Sequence, residues 1–232
     1  MALAPLLTEG ELDALRQFDT CMVANAVETF NVRLHNTGFT NASIHCMFKD
    51  EPPMVGYAGT ARLRSGEPPM VGSTFHDRGD FWNSILQIPP PRILVLEDKD
   101  HPPGGGAFVG DMHSAILKAL GCVGYLTNGA VRELPSVRAM GIQLFAGSVA
   151  VSRAYAYIFD VAAAISVGGI EIRPGDLLDG YRHGVPAIPA EIARAIPAVA
   201  AEMQRAEQKL IDFCRSSAFS VAKLGEVMKK LG

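Results

Sequence analysis

Residues 92 to 146 alternate short apolar runs with helical ones, a rhythm that few architectures accommodate. "RILVLED", 92–98, is a compact apolar run of buried-strand type, preceded by three prolines and followed by a charged loop. Beyond the loop "DKDHPPGGG", Met112, Ala115, Ile116, Ala119 and Leu120 fall at i, i+3, i+4, i+7 and i+8, an apolar helical stripe, and Gly121 stands where a helix C-cap glycine belongs. "CVGYLT" reads as the next strand, "LPSVRAMG" as a short helix with proline near its start and glycine at its end, and "IQLFA" as a further strand. Strand, helix, strand, helix, strand at this spacing defines an α/β fold, with right-handed crossovers expected if the strands are parallel.

The flanks add elements of other kinds. Thr8 and Glu11 form a capping-box pattern ahead of Leu12, Leu15 and Phe18, which predicts a helix near 9–18, and a second helix starts around Thr20 and runs through "VANAVETF". Residues 31–56 are loop-like, and the string "EPPMVG" at 51–56 recurs at 67–72 as a pair of similar Pro-Gly turns rather than an internal repeat. Between those turns "YAGTARLR" alternates as a strand does. "AISVGGIEIRPGDLLDGYRHGVPAIP" consists of short alternating runs broken by a Pro-Gly-Asp turn, the pattern of antiparallel or mixed strands. From Ala190 to about Arg215, and again from Ser220 to Leu231, the chain is helical, with Pro197 marking an interruption. No linker divides the sequence, so residues 1–232 are expected to form a single domain with a C-terminal helical segment of about 190–232.

Composition removes several function classes. With 232 residues, 48% of them hydrophobic, the chain can bury a sizeable core. Its 21 basic and 24 acidic residues are scattered, with a formal net charge of −3 and no polybasic run, so nucleic acid is not an expected direct partner. Cys21, Cys46, Cys122 and Cys214 show no CxxC pair and read as reduced, buried thiols of a cytoplasmic protein. The N-terminal "MALAPLLTEGELDAL" has no basic n-region and makes a poor signal peptide. The most apolar stretch, "AYAYIFDVAAAISVGG", is cut by Asp160 and is too short and too polar to span a bilayer.

One stretch carries chemistry: "GDMHSAILKALGCVGYLTNGAVRE", 110–133. If a helix starts near Asp111, the N–H groups of Gly110, Asp111, Met112 and His113 lie at its positive end, where a carboxylate is stabilised. The following strand returns the chain to the same edge of the sheet, the edge at which open α/β sheets bind ligands. There Arg132 offers a fork for a carboxylate or enolate oxygen, and two acids, Asp111 and Glu133, offer hard oxygen donors to a divalent cation. The bland alternatives stand beside this. An Asp at a helix start is ordinarily a cap, and an Arg-Glu dipeptide in a turn is ordinarily a solvated pair. His113 can act as acid or base or only shield the pocket; His101 sits on a Gly-rich loop that either closes over the site or is simply surface; His183 either reaches a neighbouring subunit's site or is a solvated turn residue. "GGG" at 104–106 is not a phosphate loop, since no Lys-Ser/Thr follows, and no nucleophile elbow or zinc-ligand spacing is present.

Asp111 and Arg132 are separated by twenty residues and Arg132 is followed by an acid, which resembles the D-x20-R-D motif of the RraA-like proteins, a family that includes 4-hydroxy-4-methyl-2-oxoglutarate/4-carboxy-4-hydroxy-2-oxoadipate aldolases and the regulator of ribonuclease activity A. "TCMVANAVE", "GYAGTARLR", "PPPRILVLED", "NGAVRELPSVRAMGIQLFAG" and "VGGIEIRPGDLL" followed by "GVPAIP" are similar to that family in order, over roughly residues 15–195. The resemblance implies a mixed-sheet α/β sandwich of the swivelling β/β/α type, assembled as trimers or hexamers with sites at subunit interfaces. It also implies a metal-dependent class II pyruvate aldolase or oxaloacetate decarboxylase-like lyase acting on a small 2-oxo acid. By that analogy the N–H groups of Gly110, Asp111, Met112 and His113 bind the pyruvyl carboxylate, Arg132 stabilises the enolate oxygen, and Glu133 holds Mg²⁺ or Mn²⁺. Asp111 would orient water on the metal or help shuttle a proton. The chain departs from the pattern where Glu133 replaces the motif's Asp, and where Tyr181 and His183 stand at positions that are commonly acidic. Those departures keep open a second expectation, a non-catalytic protein-binding oligomer like the ribonuclease regulators. The segments 31–49 and 99–109 are the ones expected to shape the substrate pocket.

Overall fold

A computed structural model describes residues 6–69 and 79–231. The Thr8 side chain accepts the Glu11 N–H at 3.3 Å while the Glu11 carboxylate accepts the Thr8 N–H at 2.7 Å, so the capping box opens α1 (Glu9–Leu15), which is shorter than the predicted 9–18. Asp19 caps α2 (Thr20–Glu28) by accepting the Met22 N–H. A mostly irregular stretch follows, with the two-residue β1 (His45–Cys46), and then β2 (Met54–Arg64), which takes in the end of the first "EPPMVG"; the second copy leaves the described residues at 70. After α3 (Gly79–Leu86) come β3 (Arg92–Asp98), β4 (Ala107–Val109), α4 (Asp111–Ala119), β5 (Cys122–Thr127), β6 (Ala130–Val131), α5 (Leu134–Ala139), β7 (Gln143–Ala146) and β8 (Ser148–Val149). The apolar stretch at 154–169 supplies β9 (Tyr157–Val161) and β10 (Ile165–Val167). β11 (Ile170–Ile172), β12 (Leu177–Gly180), β13 (Ala187–Ile188), α6 (Ile196–Arg215) and α7 (Val221–Leu231) complete the order. Among the described residues no helix is long and apolar enough to cross a membrane.

The main sheet runs β1-β7-β5-β3-β2-β12-β13. β7, β5, β3 and β2 are parallel, as the crossover pattern requires, and β1 and β12 are antiparallel to their neighbours. β2 has eleven residues, so one of its edges serves two strands: β12 pairs with Met54–Tyr57 and β9 with Ala61–Arg64. Alternation along the strands separates two apolar layers. Val55, Tyr57, Leu94, Leu96 and Tyr125 pack among helical residues such as Leu15, Val23, Phe81, Ile85, Leu117 and Val137. Ala58, Ile93, Val95, Leu126 and Phe145 pack on the other side against the β10–β11 hairpin through Ile165, Val167, Ile170 and Ile172. The result is the mixed α/β sandwich expected, with helices on one face and a β layer on the other.

Three expectations need correction. The stripe of α4 is not its buried face: Met112 is 48% exposed and Ala115 and Ala119 are exposed, while His113, Ser114 and Leu117 face inward. Pro197 does not interrupt a helix; it lies in the first turn of α6, where its missing N–H costs nothing. The cysteines are all reduced but not all buried, since Cys21 and Cys214 are exposed. Gly121 does fulfil its reading, with φ +71° just past α4, a conformation that disfavours any side chain.

Candidate active site

The small parallel sheet β4-β6-β8 builds the site. Ala107 faces Ala130 and Val109 faces Val131, and the Arg132 N–H donates to the Val109 carbonyl at 3.1 Å. Two segments more than twenty residues apart therefore emerge side by side at the same strand ends. One continues as Gly110 and Asp111 into α4, the other as Arg132 and Glu133 into α5. The Asp-to-Arg constellation is a physical cluster in the folded protomer.

Glu133 is its hub. Its backbone is left-handed, φ 55° and ψ 38°, an uncommon conformation for a residue with a side chain, and it turns the chain sharply from β6 into α5. The carboxylate folds back over Gly110, where an added Cβ would meet Oε2, so a side chain at that position would push the Glu133 carboxylate aside. Oε2 accepts the Asp111 N–H at 2.9 Å and Oε1 is paired with the Arg132 guanidinium. The Arg132 hydrogen bond and the Asp111 N–H hold the Glu133 carboxyl down to about 2, against the opposing effect of burial. Asp111 is the first residue of α4, with Gly110 as the N-cap, and its Oδ1 accepts the Met112 N–H at 2.6 Å. The positive helix end is thus already faced by carboxylate oxygens, at the place where a ligand carboxylate was expected.

A divalent cation suits this donor set in kind. Asp111 and Glu133 are hard oxygen donors brought to the same helix end, where Glu133 Oε2 accepts the Asp111 N–H, and Mg²⁺ ordinarily takes one or two protein carboxylates and keeps several waters. Among the described residues no three Asp, Glu, His or Cys side chains converge as a cage.

Other expected residues fall elsewhere. The His113 ring is buried, stacked at 4.6 Å on Phe108 and 6.2 Å from Trp82, so its side chain belongs to the packing under α4 and only its N–H lies at the helix start. His101 is exposed on a loop tied down by Asp98, which accepts the Asp100 and Gly104 N–H groups, and by Asp100, which accepts those of Ser65 and Gly66. Tyr181 lies 5.0 Å from the Arg182 guanidinium, and His183 Nδ1 is 3.4 Å from Cys21 Sγ, both beyond β12 rather than at the ends of β4 and β6. Sequence reading missed that last contact, which joins residues 162 apart and leaves no local signal.

A helix-backed mixed sheet with an acid, an arginine and a second acid gathered at the ends of a small parallel sheet defines the class of protein. The chain belongs to the RraA-like family, described as Aldolase/RraA, whose profile matches residues 20–186. That family includes 4-hydroxy-4-methyl-2-oxoglutarate aldolases and non-catalytic RraA regulators. Over 185 residues the chain is 26% identical to the Halalkalibacterium halodurans protein named "Putative 4-hydroxy-4-methyl-2-oxoglutarate aldolase", covering 79% of this chain and 80% of the relative. Its fold is similar to that of an uncharacterised Pseudomonas syringae protein, with a TM-score of 0.74 at 19% identity, covering 98% of this chain and 97% of the other. It is likewise similar to Streptomyces coelicolor RraAS2, an unusual member of the RNase ES inhibitor RraA protein family, with a TM-score of 0.68 at 17% identity over 88% and 96% of the two chains.

Proposed function

We propose that this protein is a divalent-metal-dependent lyase, an aldolase or decarboxylase, that cleaves a C–C bond in a pyruvate-containing 2-oxo acid and uses Mg²⁺ or Mn²⁺. The observation that carries the reading is the meeting of Asp111, Arg132 and Glu133 at the first turn of α4. Cleavage next to a carbonyl leaves an electron pair that has to be held as an enolate, and fixed positive groups at its oxygen lower that barrier. Arg132 would supply planar N–H donors there, since its contact with Glu133 uses only part of a five-donor fork. Glu133 and Asp111 would hold the cation, whose contribution when bound is Lewis acidity at the developing enolate. A substrate carboxylate would seat on the N–H groups from Gly110 to His113, exchanging with the acid oxygens that now face Asp111 and Met112. Asp111, exposed at the rim, would also pass a proton to or from the product.

Pyruvate release from oxaloacetate and from 4-carboxy-4-hydroxy-2-oxoadipate, with Mg²⁺, Mn²⁺ or chelator, tests this. Turnover is expected to need metal and to fall at least about a hundredfold in Arg132→Ala, the scale of losing one oxyanion donor. Retention of most activity in that variant would remove Arg132 from the role. One observation favours a second reading, a non-catalytic protein-binding oligomer: both oxygens of Glu133 are engaged by the protein itself. That reading expects no turnover with either metal and a protein partner that binds the wild type.

A further inference from the structure

A second pocket, of about 250 Å³, lies between α2 and the turn after β12, at the other end of the main sheet from β7. Its walls include Thr20, Cys21, Asn25, Glu28, His35 and His183. Cys21, the second residue of α2, is exposed, and its Sγ stands 3.4 Å from His183 Nδ1. Thr20 is 97% buried by its 3% exposure, yet its Oγ1 has no hydrogen-bond partner among the described residues. An unmet hydroxyl in a pocket wall lacks a polar atom from outside the protein. Burial and the Asp19 charge push the Cys21 thiol up, so the resting sulfur keeps its proton and a base must remove it before the sulfur attacks. His183 is within reach to do so.

We propose that Cys21 is a thiol-modification site whose reaction partner is a small disulfide. His183 Nδ1 takes the Sγ proton as Cys21 Sγ bonds to one sulfur of the disulfide. The S–S bond of the disulfide breaks, and the departing sulfur carries its electron pair away and recovers the proton from His183. One disulfide is consumed, one mixed disulfide and one free thiol are formed, and no further oxidant is involved. The Thr20 hydroxyl donates to a polar atom of the group left in the pocket.

The test uses the full-length protein and 4,4′-dithiodipyridine, with thiopyridone release followed by absorbance and adducts located by peptide mass spectrometry. Exposed Cys214 on α6 is the internal reference, and buried Cys46 and Cys122 report unfolding by becoming reactive. At pH 7 Cys21 is expected to react at least about tenfold faster than Cys214, and His183→Gln to remove roughly that advantage while leaving the Cys214 rate unchanged, a modest share of what general bases contribute. Thr20→Val is expected to slow Cys21 severalfold. A wild-type Cys21 no faster than Cys214 overturns the proposal without any variant. So does a His183→Gln protein, or His183→Asn if the first exposes Cys46 and Cys122, in which Cys21 keeps its advantage. Neither result bears on the lyase reading, which uses none of these residues.

Discussion

Glu133 holds its place against its own backbone preference. A left-handed residue with a Cβ costs about 1–2 kcal/mol, and such a cost persists where the surrounding structure or a function requires it. Glu133→Gly removes the strain and the carboxylate together. The variant is expected to match or exceed wild-type stability by up to about 1 kcal/mol in urea unfolding, with metal-dependent pyruvate release falling at least tenfold. A variant that is both less stable and fully active would show that the carboxylate is only a cap for α4. Asp179 is a second residue at odds with its surroundings. It is fully buried on β12, neither carboxyl oxygen has a partner among the described residues, and burial together with the Asp19 charge raises its pKa well above the ordinary value. An acid raised in the folded state stabilises below its unfolded pKa of about 4 and loses that contribution as pH rises, because the unfolded chain ionises more readily. Asp179→Asn is therefore expected to gain on wild type in urea midpoint between pH 4 and pH 8; parallel curves for the two proteins would place the ionised Asp179 in an environment that tolerates it. Of these residues, Asp111, Arg132 and Glu133 were readable because their spacing is a motif. Asp179 and the Cys21–His183 contact were not, since burial and long-range approach leave no trace in the local sequence.

At the scale of elements, α4 separates helix periodicity from core identity. Its spacing located the helix, but the inward positions are His113, Ser114 and Leu117, with aromatic partners Phe108 and Trp82 accommodating the imidazole. The apolar positions Met112, Ala115 and Ile116 are left outward or half-outward, and Val149 on β8 and Val151 beyond it are 56% and 97% exposed. If copies of this chain assemble, apolar surface of this kind is where another copy would pack. Ile116→Lys is then expected to yield a folded protomer of lower mass by light scattering. Leu117→Ala, at a fully buried position, is expected to lose about 2–5 kcal/mol of stability with the mass unchanged in native buffer. An Ile116→Lys protein that keeps the wild-type mass would remove α4 from the interface. The strands that create the site were the least legible elements. β4, β6 and β8 have two or three residues each, too few for alternation to register, and it is their pairing that brings Arg132 to Gly110.

For the whole molecule, the α/β core was legible because "RILVLED", "CVGYLT" and "IQLFA" are buried strands flanked by unmistakable helix stops, and parallel pairing follows from the crossovers between them. The attachment of α6 and α7 was not, because a helical pattern says nothing about what it packs on. The family match ends at residue 186, and the two helices behave differently beyond it. Ile196 and Ala200 of α6 are fully buried among Leu12, Leu15, Val23 and Ala26, so α6 completes the core over β2 and β12. α7 is exposed or half-exposed along its described side chains, with Val221 at 78% and Met228 at 56%, and it packs on α6. Ending the chain after Ser216 is therefore expected to cost under about 1 kcal/mol, a shift of roughly 2–4 °C in Tm for a protein of this size. Ending it after Ala195 exposes the α1 and α2 core and is expected to abolish cooperative unfolding, since each large side chain returned to water costs about 1.5–3 kcal/mol of a marginal total. The shorter deletion also discriminates between assembly faces. If it preserves the mass of the oligomer, α4 and β8 remain the contact surface; if it yields protomers with unchanged Tm, the outward apolar residues of α7 hold the copies together and the exposed face of α4 needs another explanation.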